Sequence, residues 1–269
     1  RRSFPLALDL GCHHGVVAEA LAGRGGIETL IQADLSPALA RLAAERDGAP
    51  LPAPALCADE EALPFAEGSL DLVISVLSLH WVNDLPGTLL QIARSLKPDG
   101  LFLAAMIGGD SLKELRVALM QAEIEVEGGV SPRVSPFADL RDLGALLQRA
   151  GFALPVADLD SITVTYPSAL ALMQDLRGMG ESGADRNRRS GLTRRGTLLR
   201  AAALYAENFA QPDGRLPATF DVVFLTGWAP HAAQPRPLAP GSAKTRLAEA
   251  LGTTENASGD KAAPDKRKT

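Results

Sequence analysis

The chain has 269 residues, a formal net charge of −5 and 46% hydrophobic residues. That apolar content supports a packed core, and the acid excess excludes a general nucleic-acid surface, because neutralising phosphates needs surplus Lys and Arg. No apolar run reaches the roughly 18 residues a membrane span requires, which leaves only peripheral membrane association open, and Cys12 and Cys57 read as free thiols of a reducing compartment.

The apolar run Phe4 to Leu8 reads as a buried first strand. Asp9-Leu10-Gly11-Cys12-His13-His14-Gly15 follows as a glycine-bearing turn, and Val16 to Leu21 opens a helix. Strand, turn and helix in that order make a nucleotide-cofactor cradle, since glycine lets backbone approach a ligand and the helix start offers free N–H groups. A dinucleotide loop has a glycine where His13 stands, and the side chain crowds a pyrophosphate. Asp9 at the strand end suits a cationic ligand, and S-adenosylmethionine carries a sulfonium, an ammonium and no phosphate.

Thr29 to Ala33 is the second expected strand, ending at Asp34, where a carboxylate can accept from both hydroxyls of a ribose. Ser36-Pro37 caps the next helix, which leaves Asp34 free for that role. Pro54 to Ala58 is the third strand. Asp59 then suits an adenine amino group, although Glu60 and Glu61 leave the position open by a residue, and a solvated acidic turn is the alternative. Leu70 to Leu77, apolar on both faces, reads as a central parallel strand. The residues at its carboxyl end, Ser78 to Asp84, lie where open α/β sheets place their chemistry. His80 and Trp81 are the candidates for the substrate side: an imidazole as base or hydrogen-bonding group, an indole as flat wall. A helix from about Pro86 to Ser95, a turn at Leu96 to Gly100 and a strand from Leu101 to Met106 complete five alternating βα units, the pattern of a doubly wound parallel sheet.

Beyond them, Ser111-Leu112-Lys113-Glu114 has capping-box spacing and is expected to open a helix running to about Glu125, with Glu123, Glu125 and Glu127 as a solvated acidic face. Gly128 to Pro136 is long enough to act as a lid or substrate loop. Asp139 to Ala150 is a helix stopped by Gly151. Ser161 to Tyr166 and Ala218 to Gly227 are the expected sixth and seventh strands, the last antiparallel. Between them, 167–214 is a helical insertion with a flexible run, Gly178 to Gly183, followed by six arginines: Arg186, Arg188, Arg189, Arg194, Arg195 and Arg200. That basic block reads either as a docking surface for an acidic protein segment or as a solvated face. Trp228 and His231 are expected to pack against or cap the last strand. The tail, 236–269, is expected to be disordered apart from a short helix at Thr245 to Leu251. One domain is thus expected over 1–235.

The D-x-G-x-x-x-G loop, the acid after strand two, Ala58-Asp59, Leu63-Pro64-Phe65 and Leu96-Lys97-Pro98-Asp99-Gly100 resemble class I S-adenosylmethionine-dependent methyltransferases, in the branch called methyltransferase type 11. Further runs resemble the methyltransferase-fold assembly factor family of respiratory complex I. They are Leu77 to Pro86, Gly108 to Arg116, Glu127 to Phe137, Asp175 to Ser182 and Leu216 to Thr219. The biotin-pathway enzyme that methylates a malonyl thioester shares the Leu-His-Trp run.

The resemblance implies a Rossmann-like seven-stranded class I methyltransferase sheet and S-adenosylmethionine as cofactor, with Asp9, Gly11, Gly15, Asp34 and Asp59 in the cofactor site. Cys12, His13, Leu35, Glu60 and Ser75, on the same loops and strand tips, are expected there too. His13 departs from the usual glycine. The implied function is methyl transfer, acting on a protein in complex I assembly. Alternatives are hydroxylation of an arginine in a complex I subunit, non-catalytic assembly, and O-methylation of a small molecule or carrier protein. No metal-ligand pattern of the iron-hydroxylase kind is present. The place of action is the bacterial cytoplasm or, in a eukaryote, the mitochondrial matrix. Related enzymes carry one or two helices before the first strand, so a preceding segment is expected, and a targeting signal would lie on it.

Overall fold

The computed structural model describes residues 2–46, 51–185, 189, 191–235, 242 and 245–254. The chain divides into two compact units, 1–231 and 232–269. In the second, the described residues include a short helix, α8 (Leu247–Leu251). The rest of the expected tail, 236–241, 243–244 and 255–269, lies outside the described residues.

The first unit is built on one seven-stranded sheet, β1 (Leu6–Leu10), β2 (Thr29–Asp34), β3 (Ala55–Cys57), β4 (Leu70–Val76), β5 (Leu96–Gly108), β6 (Ala153–Tyr166) and β7 (Leu216–Trp228). Its order is β3-β2-β1-β4-β5-β7-β6. The first five strands are parallel, and β7 runs antiparallel to both β5 and β6. This is the class I methyltransferase sheet with its reversed seventh strand. The order reverses between β1 and β4, and a ligand crevice opens at the carboxyl ends of strands there.

The helices are α1 (Val17–Ala20), α2 (Pro37–Ala44), α3 (Leu85–Ser95), α4 (Lys113–Glu127), α5 (Leu140–Arg149), α6 (Ala169–Gly178) and α7 (Arg195–Phe209). One core cluster lies on the sheet face bearing Leu8, Leu10, Val73, Phe102 and Leu225; Leu89, Ile92, Leu143 and Leu147 of α3 and α5 close it. Phe102 and Phe152 stack there at 5.3 Å between centroids. Each such leucine contributes about 1.5–3 kcal/mol by leaving water. The opposite face carries Ala7, Leu30, Leu72 and Ile74 with Ala18 of α1. A separate cluster joins α4, α6 and α7 around Tyr205, whose hydroxyl donates to the Pro217 carbonyl at 2.7 Å. Among the described residues no helix is long and apolar enough to cross a membrane.

Several elements differ from expectation for reasons of tertiary contact. The first strand begins later, at Leu6, and takes in Asp9 and Leu10. The expected turn at 96–100 is absorbed into β5, with Asp99 left-handed (φ 65) and an irregular register against Leu70. The capping box does not form. Leu112 takes the cap position in left-handed conformation, the Ser111 hydroxyl bonds Gly108 and the Asp221 backbone, and Glu114 accepts from the Thr219 amide and hydroxyl. Both side chains tie α4 to β7 instead. The sixth strand extends back to Ala153, because β7 offers a continuous antiparallel partner from Leu216 to Trp228. Trp228 is covered by the Arg2 guanidinium, 4.3 Å from its ring, and lies 6.4 Å from Phe4.

The acidic run and the arginine block pair with each other. Glu123 holds Arg133, Glu125 holds Arg200, and Glu127 binds Arg189, Arg194 and Thr197. Glu123 is buried rather than solvated. Arg189, Arg194 and Arg200 are paired with acids of α4 and so are not an unoccupied docking surface, while their side chains stay partly exposed, as a solvated face requires. Arg186 and Arg188 lie outside the described residues.

Candidate functional site

The loop after β1 is shaped by left-handed residues at alternate positions, Gly11 (φ 71), His13 (φ 50) and Gly15 (φ 81). The Gly11 and Cys12 amides both donate to the Ala33 carbonyl, at 2.8 and 2.9 Å. A Cβ on Gly11 would fall 2.1 Å from the Ser78 hydroxyl, and one on Gly15 would fall 2.5 Å from the Gln32 side-chain oxygen. Both glycines are therefore demanded by conformation and by space. Gly11→Ala is expected to cost about 2–3 kcal/mol in thermal unfolding, from backbone strain plus overpacking. His13 bears the same left-handed strain without being glycine. His13→Gly should leave stability level or raise it by about 1 kcal/mol; a clear loss would show that the imidazole supports the loop.

Beneath the loop lies a cluster of acids. Asp9 is fully buried, and neither carboxylate oxygen has a hydrogen-bond partner among the described residues. Its register neighbour on β2, Gln32, gives its amide N–H to the Ala53 carbonyl and leaves its own oxygen unpartnered. Burial, then the nearby Asp34 charge, pushes Asp9 up to about 7. Burial likewise raises Glu60, whose Oε1 accepts from the Ser78 hydroxyl at 3.0 Å. Cys12 is pushed up to about 12, by burial first and then by Asp9, so its thiol stays neutral and is no nucleophile.

Asp34 is not left free. Its two oxygens accept the amides of His13 (2.9 Å) and Ser36 (2.8 Å), while the Ser36 hydroxyl caps α2 from Leu39. Each oxygen keeps a second acceptor position for a ribose hydroxyl. Asp59 is exposed and spends Oδ1 on the Glu61 amide; Glu60, beside it, points inward. Leu35 is 58% exposed at the tip of β2, an apolar surface available to a flat ring. Ser75 stands apart from this group. It pairs in register with Ala104, on the sheet face opposite Asp9 and Ile74, and its buried hydroxyl has no hydrogen-bond partner among the described residues. The orphaned acceptors of Asp9 and Gln32, the loop amides and the cluster of acids fit a cofactor with cationic groups and a ribose, because a cation relieves both the desolvation and the mutual repulsion. Gln32 was not singled out from sequence; a lone amide inside an otherwise apolar strand is the signal that marks it.

His80 and Trp81 occupy a single 3-10 turn, Leu79–Trp81, at the end of β4. Both reach one oxygen of Glu181, His80 Nε2 at 3.1 Å and Trp81 Nε1 at 3.3 Å. Glu181 follows α6 in the glycine-rich run, which thus crosses toward the carboxyl end of β4. The Phe137 ring stands edge-on to His80 at 6.4 Å. Phe137 also lines a cavity of about 780 Å³ together with Met120, Val134, Leu159 and the acids Asp110, Asp139, Asp185 and Asp221. Two guanidiniums, Arg116 and Arg133, complete the charged lining. Arg133 is committed to Glu123 and to the Thr193 hydroxyl, and Arg116 donates to the Ser111 carbonyl. Among the described residues no group of three or more His, Cys, Asp and Glu side chains is placed to hold a metal ion.

Comparison with known proteins agrees with this architecture. The methyltransferase domain family model, Methyltransf_11, matches residues 8–104. The YcgJ protein of Bacillus subtilis has a similar fold, with a TM-score of 0.59 at 16% identity, over 86% of this chain and 94% of that one. The mitochondrial arginine-hydroxylase NDUFAF5 of Danio rerio is 47% identical over 92% of this chain and 76% of its own length, and that of Homo sapiens is 49% identical over 95% and 72%. The malonyl-[acyl-carrier protein] O-methyltransferase of Laribacter hongkongensis is 40% identical over 85% of this chain and 77% of its own length. With this sheet and these identities, the chain belongs to the NDUFAF5 family of methyltransferase-fold proteins.

Proposed function

We propose that this protein binds S-adenosylmethionine at the tips of β1, β2 and β3 and modifies an arginine side chain of a protein, a subunit of respiratory complex I during its assembly. The cofactor half rests on Asp9, a buried carboxylate with no hydrogen-bond partner among the described residues, under a loop of left-handed residues. The substrate half rests on the cavity beside His80. Its lining carries four aspartates against two arginines, one of them held in a buried ion pair, with apolar walls between. A guanidinium on an aliphatic stem matches that lining in charge and shape. The free carboxylate of a malonyl thioester meets like charge there, which argues against carrier-protein O-methylation.

When bound, S-adenosylmethionine supplies an electrophilic methyl group on a cationic sulfur. Asp34 holds the ribose, Asp9 and Gln32 face the cationic end, and Glu60 with Asp59 borders the adenine side. Asp110, Asp139 and Asp221 orient the guanidinium, and the loop 128–137 excludes water from it. The arginine-directed relatives favour hydroxylation as the modification, a two-electron oxidation that takes its oxygen from dioxygen and needs a separate two-electron reductant as co-substrate; the cofactor loop favours methyl transfer as the second reading, for which S-adenosylmethionine alone suffices. The relatives' names place those proteins in the mitochondrion; in a eukaryote we assign the reaction to the matrix.

Calorimetric titration with S-adenosylmethionine tests the first half: Asp34→Ala is expected to abolish binding, and undiminished affinity would remove the ribose assignment. Mass spectrometry of the arginine-bearing subunit, with and without the protein, tests the second. One added oxygen supports hydroxylation, one added methylene supports methyl transfer, and an unmodified arginine with assembly still dependent on the protein overturns the enzymatic reading.

A further inference from the structure

The arrangement around His80 carries one step more, and it rests on the arginine-modifying reading above. The His80 side chain is only 4% exposed. Its Nε2 lies 3.1 Å from Glu181 Oε1, and the indole N–H of Trp81 lies 3.3 Å from the same oxygen. Indole nitrogen is a donor only, so Oε1 is the acceptor in that bond. A carboxylate oxygen accepts in the other as well, which puts the proton of a neutral imidazole on Nε2. The second ring nitrogen, Nδ1, is buried and has no hydrogen-bond partner among the described residues. Leaving such an acceptor unmet is costly, because it has lost its water and gained nothing in exchange. Of the neighbouring rings, Trp81 gives its indole N–H to Glu181 and Phe137 has no donor, and Phe137 forms part of the cavity wall.

We propose that Glu181 is a positioning residue that locks His80 in the Nε2–H tautomer, so that Nδ1 presents its lone pair as the acceptor for an N–H of the substrate's guanidinium. In this role Glu181 acts through His80 and not on the substrate. Its place is set by the chain: its backbone N–H donates to the Leu176 carbonyl at 2.8 Å, closing the end of α6, and Gly180 before it is left-handed (φ 85). The glycine run read from sequence as flexible thus delivers a carboxylate. A histidine oriented by a carboxylate on one nitrogen and free on the other is the arrangement by which imidazoles accept protons at fixed geometry.

Nitrogen-15 NMR of the full-length protein, with the His80 signals identified by their loss in His80→Asn, reads the tautomer directly. In the wild type, a protonated Nε2 and an unprotonated Nδ1 are expected. Glu181→Gln retains an acceptor oxygen and should retain that tautomer, whereas Glu181→Ala should yield a mixture of the two. Because Glu181 is partly exposed and outside the core clusters, the alanine variant is expected to melt within a few degrees of wild type. Addition of free arginine or an arginine-bearing peptide should shift Nδ1 in wild type and in Glu181→Gln, and by much less in Glu181→Ala. A proton on Nδ1 in the wild type, a doubly protonated ring, or an unchanged tautomer in Glu181→Ala would overturn the proposal. These readouts depend on neither turnover nor S-adenosylmethionine. A failed cofactor titration or an unmodified subunit would therefore sink the functional reading while leaving the tautomer assignment standing, and the reverse holds equally.

Discussion

Glu123→Ala is expected to destabilise the protein by about 3–5 kcal/mol and to release the loop 128–137. Glu123 is 1% exposed and accepts from the Ser131 amide and hydroxyl and from two nitrogens of Arg133. Burial pushes its carboxyl up, yet these bonds together hold it below the usual range. Removing it strands a guanidinium and an amide in a site that is nearly dry, which is why loss of one partner costs more than the pair is worth. Arg133→Met in the same background should recover part of the loss, because no charge is then left alone. Because Val130, Ser131, Pro132, Arg133 and Val134 all line the cavity, substrate affinity should fall with stability. Urea unfolding measures the first effect, and hydrogen exchange across the loop measures the second. Exchange as slow as in wild type would show that the loop is held by something other than this pair.

The second large effect is on pH. Asp9 has a native value near 7 against an ordinary value of 3.8. The folded, ligand-free protein thus retains a proton there that the unfolded chain gives up. Asp9 contributes its full stability below about pH 4, and that contribution is lost as pH rises through about 7. Between those limits the loss amounts to about 2–4 kcal/mol. Thermal melts from acid to mildly alkaline pH should therefore show wild type losing stability relative to Asp9→Asn, and parallel curves would refute the buried, unpaired carboxylate. Cationic cofactor has the opposite dependence. It binds the ionised form, so its affinity should rise with pH through the same range and should be weak in Asp9→Asn at every pH.

The parallel half of the fold was legible because each strand there is a short apolar run bounded by acids or glycines, and period and punctuation are local properties. Gly11, Gly15 and Asp34 were legible for the same reason: a tight βα turn and a strand-end acid recur at fixed offsets. Local reading failed where a side chain found a distant partner. Ser111 and Glu114 have capping spacing but are claimed by β7, more than a hundred residues away in sequence. Asp59 and Glu60 are adjacent acids, and only Ser78, brought up by β4, decides which one turns inward. Ser75 sits at the right strand but on the wrong pleat for Asp9, a difference of one residue that register alone resolves.

By itself, then, the order of amino acids determined the alternation of strands and helices, the glycine loop, the acidic strand tips and the family resemblance, since all are carried by neighbours in the chain. Tertiary structure alone decided that the acids of α4 pair with Arg189, Arg194 and Arg200, that Asp9 lies buried with no hydrogen-bond partner among the described residues, and that Glu181 stands against His80. The physical reason is the same throughout: desolvation and ion pairing depend on what packs from elsewhere in the chain, and no window of local sequence contains both partners.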